Sequence, residues 1–282
     1  METKYFKLIN DIIGEYKNRP IDLLNIGDQE GENNYLKMQR NSYIRSVSDI
    51  CELFPEESFR KTRILEIGSF LGVLSIGLSR LGFIVSAYDI PEFNNNERLR
   101  QMFIDNDVDF VTGNLRDLKL PFDDNSIDCV IICETLEHLN FNPLPVLYEI
   151  NRITRTGGFI YVGMPNQVHI KNRIKMLAGR SIHQPVEDFF QQLGGSSGNM
   201  IVGIHWREYT LAETIELLET MGYKTIRRFY WQSMDVYMEE YSAKTLIQRL
   251  IFQISSLKPF LVAIGRKERR PQYDFRFTDA TR

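Results

Sequence analysis

The chain has 282 residues, of which 43% are hydrophobic and 25% are charged, and its formal net charge is −3. This composition supports an α/β domain with additions and excludes a disordered chain. The acidic balance argues against a nucleic-acid-binding surface. Three cysteines form no disulfide framework, and no apolar stretch reaches the roughly 20 residues of a membrane span. Because the first residues also lack a signal-peptide pattern, we expect a cytoplasmic protein.

Two helices are predicted before the first strand. Residues 1–19 place apolar side chains at helical spacing, and residues 35–54 form a longer amphipathic stripe that Pro55 ends. The segment between them, residues 20–34, is polar and rich in turn-forming residues, so we expect a loop there. Residues 1–60 therefore form a predicted N-terminal helical cap.

A strand, a glycine turn, a helix and a second strand then follow one another. The apolar run of residues 63–67 stops at Gly68, and Gly72 precedes a helical pattern and a second apolar run that ends at Asp89. This is one βαβ unit, which predicts a parallel sheet with a ligand site at the carboxyl ends of its strands. Asp89 lies about 20 residues beyond the first glycine, where an acidic side chain binds ribose hydroxyls.

The glycine turn departs from the fingerprint of dinucleotide-binding proteins. Phe70 and Val73 stand where that fingerprint has its second and third glycines, so a pyrophosphate would be poorly bound. The remaining pattern, Glu66-x-Gly68-x-x-x-Gly72, resembles motif I of the class I S-adenosylmethionine-dependent methyltransferases. The resemblance implies S-adenosylmethionine as the cofactor, with the loop around its methionine moiety. The residues it assigns to the cofactor here are Glu66, Gly68, Ser69, Gly72, Asp89 and Ile90. A βαβ unit whose glycines only turn the chain is the alternative.

A second stretch makes the resemblance more specific. Residues 113–139 contain a Leu-Pro-Phe-Asp-Asp-Asn-Ser turn and, after the fourth predicted strand, the run Leu-Glu-His-Leu. Both resemble the methyltransferase branch that includes the ubiquinone and menaquinone methylating enzymes. This resemblance implies that Asn114 and Leu115 hold the adenine and that Cys133, at the end of the fourth strand, also contacts the cofactor.

The remaining elements complete the predicted fold. It is an α/β, Rossmann-like, doubly wound, seven-stranded and mostly parallel sheet with helices on both faces. A helix over residues 143–154 is expected to end at the Gly157-Gly158 pair. The predicted strands are residues 63–67, 83–88, 109–112, 127–133, 159–164, 223–229 and 260–264. The predicted parts of the chain are a cofactor-binding half (61–166), a lid that binds the acceptor (167–209), a C-terminal half (210–266) and a tail (267–282).

The C-terminal half begins with a clear helix signal. Thr210-Leu211-Ala212-Glu213 is a capping box, and Gly222 ends the helix that follows. Residues 194–198, before it, are glycine- and serine-rich and predict a flexible link within the lid. A further apolar helix covers residues 245–257. We expect it to pack on the body of the protein, while a homodimer contact and a peripheral membrane contact are the alternatives.

Transfer of a methyl group from a sulfonium is an in-line displacement, and a hydroxyl acceptor must also lose its proton. The candidate catalytic residues are His205 and, behind it, His138 and Glu134. The alternative roles are structural: His138 caps or packs the helix after the fourth strand, and the imidazole of His205 bonds to backbone near a helix start. The four histidines show no metal-ligand spacing, so no metal site is predicted.

The acceptor is predicted by elimination. The Asn-Pro-Pro-aromatic and Pro-Cys motifs of nucleic-acid methylating enzymes are absent from the end of the fourth strand. A small-molecule, glycan or lipid-linked acceptor remains, with O-methylation favoured and a weak resemblance to bacterial surface-polysaccharide enzymes. The alternative functions are a degenerate, non-catalytic cofactor-binding module and a nucleotide-dependent oxidoreductase or sugar-modifying enzyme.

Overall fold

The computed structural model describes residues 3–21, 29–194, 203–236 and 243–271. The chain divides into two compact units. The first unit is formed by Met1–Asp117, Ile127–Ile131 and Pro185–Ile204, and the second by Leu118–Ser126, Ile132–Gln184 and His205–Arg282.

The strands form one sheet of seven, as predicted. Its order is β3-β2-β1-β4-β5-β7-β6. Strands β1, β2 and β3 pair in parallel, whereas β7 runs antiparallel to both β5 and β6. The strands are β1 (Arg63–Ile67), β2 (Ile84–Asp89), β3 (Val108–Thr112), β4 (Ile127–Cys133), β5 (Thr154–Pro165), β6 (Tyr223–Trp231) and β7 (Phe260–Lys267).

Helices connect and cover these strands. Those in the first unit are α1 (Thr3–Asn18), α2 (Gln29–Cys51), α3 (Val73–Arg80), α4 (Pro91–Asn94), α5 (Glu97–Ile104) and α8 (Val186–Gly194). Those in the second unit are α6 (Leu144–Ile153), α7 (Ile170–Leu177), α9 (Leu211–Thr220) and α10 (Ala243–Ile251). Within the described ranges, no helix is long and apolar enough to cross a bilayer.

The N-terminal helices differ from the prediction at one boundary. Helix α1 buries Ile9, Ile12 and Tyr16, as its apolar spacing predicts. Helix α2 begins at Gln29, inside the predicted loop. Two acidic residues in its first turn favour an early start because carboxylates interact well with the positive end of the helix dipole. One of them, Glu32, also accepts a hydrogen bond at 3.1 Å from the backbone N–H of Ile21.

The predicted glycine cap of α6 is wrong. The chain enters β5 directly at Thr154, and Gly157-Gly158 lie inside that strand. Lys267 takes over the role of the cap, since its buried ammonium donates hydrogen bonds to the carbonyls of Asn151 (2.6 Å) and Thr154 (2.7 Å). A basic side chain can satisfy the last carbonyls of a helix in this way.

The apolar helix near the C-terminus does not pack as predicted. Leu246, Ile247 and Leu250 of α10, with Ile254 just beyond it, are each more than half exposed. By contrast, the predicted capping box of α9 is confirmed, with Thr210 and Glu213 bonded reciprocally. Residues 195–198 of the predicted link, and the tail from residue 272 onward, lie outside the described residues.

Candidate functional site

The loop after β1 is built on two glycines with left-handed backbone. Gly68 has φ +76°, and its N–H donates to the carbonyl of Tyr88 at 2.9 Å. Gly72 has φ +72°, and a Cβ there would lie 2.2 Å from Cε1 of Phe103. Any other residue at position 72 would therefore be strained in its backbone and would also clash. Between them, the buried hydroxyl oxygen of Ser69 has no hydrogen-bond partner in the described part of the chain.

Asp89 joins this loop to the end of β2. Its Oδ2 accepts a hydrogen bond from the backbone N–H of Phe70 at 2.7 Å, and its Oδ1 accepts one from Ile90 at 2.8 Å. Burial raises the pKa of Asp89 to about 6, although these two hydrogen bonds act in the opposite direction. The ring of Phe70 packs edge-on against Tyr35 and Phe93, with centroids 5.0 and 5.2 Å away. An aromatic side chain thus occupies the place where a dinucleotide loop has a glycine.

A second carboxylate, Glu66, is buried in the same unit. It is 5% exposed and accepts a hydrogen bond from the hydroxyl of Ser75 at 2.5 Å. Burial raises the pKa of Glu66 to about 8, the hydrogen bond from Ser75 lowers it, and the negative charge of Asp89 raises it further. The first unit therefore contains two acidic groups, Glu66 and Asp89, whose ionised forms have a raised free energy in the folded protein.

The predicted adenine residues follow β3. Gly113 lies so close to Tyr88 that a Cβ on it would be 2.3 Å from the tyrosine hydroxyl oxygen. Asn114 is exposed, and its Oδ1 accepts a hydrogen bond from the N–H of Arg116 at 2.9 Å, while Leu115 begins a short 3-10 turn. Cys133, which ends β4, is half-buried and belongs to the second unit.

The three candidate catalytic residues all lie in the second unit. Glu134 follows β4 in a left-handed conformation, with φ +48°, and its N–H donates to the carbonyl of Gly163 at 2.9 Å. Burial and the charge of Glu208 raise the pKa of Glu134 to about 8. The imidazole rings of His138 and His205 pack edge to face, with their centroids 4.7 Å apart.

Glu137, which was not among the predicted site residues, completes this group. Its side chain is 0% exposed, and neither carboxylate oxygen has a hydrogen-bond partner among the residues that the structure describes. Burial, reinforced by the charge of Glu134, raises its pKa well above the usual range. Its own carbonyl accepts a hydrogen bond at 2.7 Å from the N–H of Trp206, which places His205 beside it. The sequence did contain a signal for burial of Glu137, because the Glu-His pair stands between two leucines in Leu-Glu-His-Leu.

Glu208 holds His205 in place. Nδ1 of His205 lies 3.3 Å from Oε1 of Glu208, and the amide of Asn172 donates to Oε2 of the same carboxylate at 2.9 Å. Burial lowers the pKa of His205, but the hydrogen bond with Glu208 and the charges of Glu137 and Glu208 outweigh it, so the pKa lies above its usual value. Burial raises the pKa of Glu208, yet its bonds to His205 and Asn172 bring it below the usual value.

The glycine loop, Asp89 and the segment after β4 all lie within a stretch that is similar to known proteins. Residues 65–162 match the family model described as "Methyltransferase domain". A Mycolicibacterium smegmatis protein named "Probable S-adenosylmethionine-dependent methyltransferase" is 34% identical over 117 residues, which are 42% of this chain and 35% of that protein. A ubiquinone biosynthesis O-methyltransferase of Xanthomonas campestris is 30% identical over 106 residues, or 37% of this chain and 44% of that protein. The chain thus aligns with less than half the length of these relatives.

A solved structure resembles nearly the whole chain. It is an S-adenosylmethionine-dependent methyltransferase from Thermotoga maritima, with a TM-score of 0.51 and 16% identity, covering 93% of this chain and 99% of that one. At that identity the likeness establishes the fold. The family match over residues 65–162 includes Glu66, Gly68, Asp89 and Glu134. Residues 65–162 therefore match the methyltransferase-domain family model, and the chain has the fold of that solved methyltransferase.

Proposed function

We propose that this protein transfers the methyl group of S-adenosylmethionine to an oxygen of a small-molecule, glycan or lipid-linked acceptor. The observation that carries the proposal is the pair of carboxylates, buried Glu66 and half-buried Asp89, around the loop from Gly68 to Gly72. Their negative charges oppose each other and are costly to bury. A ligand with positive charge relieves this cost, whereas an anionic pyrophosphate increases it.

S-adenosylmethionine fits this preference because it carries an ammonium and a sulfonium and no phosphate. Backbone N–H groups orient both carboxylate oxygens of Asp89. The remaining lone pairs of these oxygens can accept hydrogen bonds from two ribose hydroxyls. In this proposal Ser69 and Ile90 line the same loop, Asn114 and Leu115 bind the adenine, and Cys133 contributes from the end of β4.

Support for an oxygen acceptor comes from the second unit. His205, His138 and Glu134 are titratable groups on adjoining segments, and a hydroxyl acceptor needs such groups because it must lose its proton. The Xanthomonas campestris relative is an O-methyltransferase by name. We propose that the acceptor binds at this group and the donor at the glycine loop, and that His205, from the described part of the predicted lid (167–209), faces the acceptor.

Binding of S-adenosylhomocysteine tests the donor half of the proposal. Isothermal titration should show one site, and Asp89→Asn should weaken it roughly tenfold to hundredfold, because a hydrogen bond to a charged group contributes about 1.5–3 kcal/mol. Asp107→Asn is the matched control, since Asp107 is exposed and its positive φ suits asparagine. NADH should not compete. A wild-type protein that binds NADH and no S-adenosylhomocysteine would contradict the proposal.

A methylation screen tests the acceptor half. Wild-type protein with isotopically labelled S-adenosylmethionine is incubated with free sugars, glycans, lipid-linked saccharides and phenols, and products are identified by mass spectrometry. Label on an oxygen of one class supports the proposal. Label on amines alone would refute O-methylation and leave the donor assignment intact.

A further inference from the structure

The buried carboxylate of Glu137 points to a ligand. The side chain is fully enclosed, and among the described residues nothing donates a hydrogen bond to either oxygen. A buried carboxyl group without a partner stays protonated, whereas an ionised buried carboxylate is normally paired or bound to a metal ion. The carboxyl group of Glu137 lies close to the imidazoles of His138 and His205, and a cation bound between these three side chains would let it ionise.

Three side chains supply a complete donor set. One oxygen of Glu137 and one ring nitrogen each of His138 and His205 all lie within 4.8 Å of one another. Donor atoms around a tetrahedral ion at about 2.1 Å stand about 3.4 Å apart, so closure needs a movement of roughly 1.4 Å or less. Small side-chain rotations provide that, since both histidine side chains are only half-buried.

The surroundings also match a metal centre. Nδ1 of His205 faces Glu208 at 3.3 Å, which leaves Nε2 as the ligand nitrogen. A carboxylate behind a metal-binding histidine fixes the ring and increases its basicity. Glu208 is itself held by the amide of Asn172 at 2.9 Å. Two imidazoles and one carboxylate suit Zn²⁺, Mn²⁺, Fe²⁺ or Co²⁺ better than Mg²⁺ or Ca²⁺, which prefer oxygen ligands alone.

We propose that Glu137, His138 and His205 bind one divalent transition-metal ion. Three protein ligands leave at least one coordination position open, which is the arrangement of catalytic rather than structural sites. The role of the ion, unlike its binding, rests on the proposed function. The acceptor hydroxyl coordinates the ion, which lowers the pKa of that hydroxyl, and its proton passes to water. The oxygen then donates an electron pair to the methyl carbon, while the carbon–sulfur bond breaks and its electrons remain on sulfur.

Metal binding is tested directly on the full-length, tag-free protein. After treatment with a chelator, the protein is titrated with Co²⁺, followed by its visible absorption, and with Zn²⁺ in competition. We expect one saturable site with the spectrum of a four- or five-coordinate ion. Glu137→Gln and His205→Gln should each weaken Co²⁺ binding about tenfold or more, since even outer-shell changes have effects of 10–100-fold.

Controls separate this site from adventitious binding and from misfolding. His183→Gln replaces an exposed histidine outside the group and should leave Co²⁺ affinity unchanged. Affinity for S-adenosylhomocysteine, a property of the first unit under the proposed function, reports on folding of each variant. If Glu137→Gln is unstable, His205→Gln decides alone.

The two proposals can fail separately. A wild-type protein that binds S-adenosylhomocysteine but neither Co²⁺ nor Zn²⁺ overturns the metal site only. Equal metal affinity in wild type and His205→Gln overturns it as well. Metal binding without S-adenosylhomocysteine binding overturns the methyl-transfer proposal and leaves the metal site standing.

Discussion

Replacement of Glu66 by glutamine should make the ligand-free protein more stable at alkaline pH. Glu66 is 5% exposed, and burial is the largest cause that raises its pKa, from the ordinary value of 4.5 to about 8. The folded protein therefore keeps a proton that the unfolded chain has already released between these two values. Stability that depends on this proton is present at low pH and is lost as the pH rises. Glutamine stays neutral throughout and can still accept the hydrogen bond from Ser75.

The size of the effect follows from the two pKa values. The difference in proton binding destabilises the wild type by roughly 1 kcal/mol at pH 5.5 and by roughly 4–5 kcal/mol at pH 8.5. The free energy of unfolding of Glu66→Gln, relative to wild type, should thus increase by about 3 kcal/mol over this interval. Other buried acids, such as Glu137, titrate in both proteins and cancel in the comparison.

Urea unfolding of both proteins at pH 5.5, 7.0 and 8.5, followed by circular dichroism, measures this difference. Ser75→Ala provides a second test. Loss of the hydroxyl that donates to Glu66 should raise the pKa of Glu66 further, so the loss of stability should continue to a higher pH. In the Glu66→Gln background the same serine change should add no pH dependence. Parallel pH profiles for wild type and Glu66→Gln would refute the reasoning.

Three further predictions about the fold are tested by urea unfolding. Gly72→Ala should cost roughly 2 kcal/mol or more, because of its positive φ and the 2.2 Å approach to Phe103, whereas Gly14→Ala, in open space within α1, should add about 0.5–1 kcal/mol; equal effects would contradict this. Lys267→Met should cost roughly 2–4 kcal/mol, since it leaves buried carbonyls without a donor; a neutral result would remove its capping role. Leu250→Ser should change stability by less than about 0.5 kcal/mol, and a larger loss would mean that α10 packs after all.

Local patterns in the sequence determined much of this protein. The turn at Gly68, the capping box at Thr210 and the bounds of β1 and β4 all depend on residues within a few positions of one another. Such elements are predictable because periodicity, glycine conformation and capping act over one turn of chain. The predicted place of a ligand, at the strand ends beside Asp89, followed from the same local order.

Only the tertiary structure decided the features that join distant residues. Lys267 caps α6 across more than a hundred positions, so the nearby glycines that predicted the cap were misleading. His138 and His205 meet beside the buried Glu137, although nothing in their spacing indicates a common site. The exposure of the apolar side chains of α10 likewise depends on whether another element packs against this helix, which its own sequence does not specify. Sequence spacing records neighbours along the chain, whereas burial, charge interactions and donor sets depend on neighbours in space.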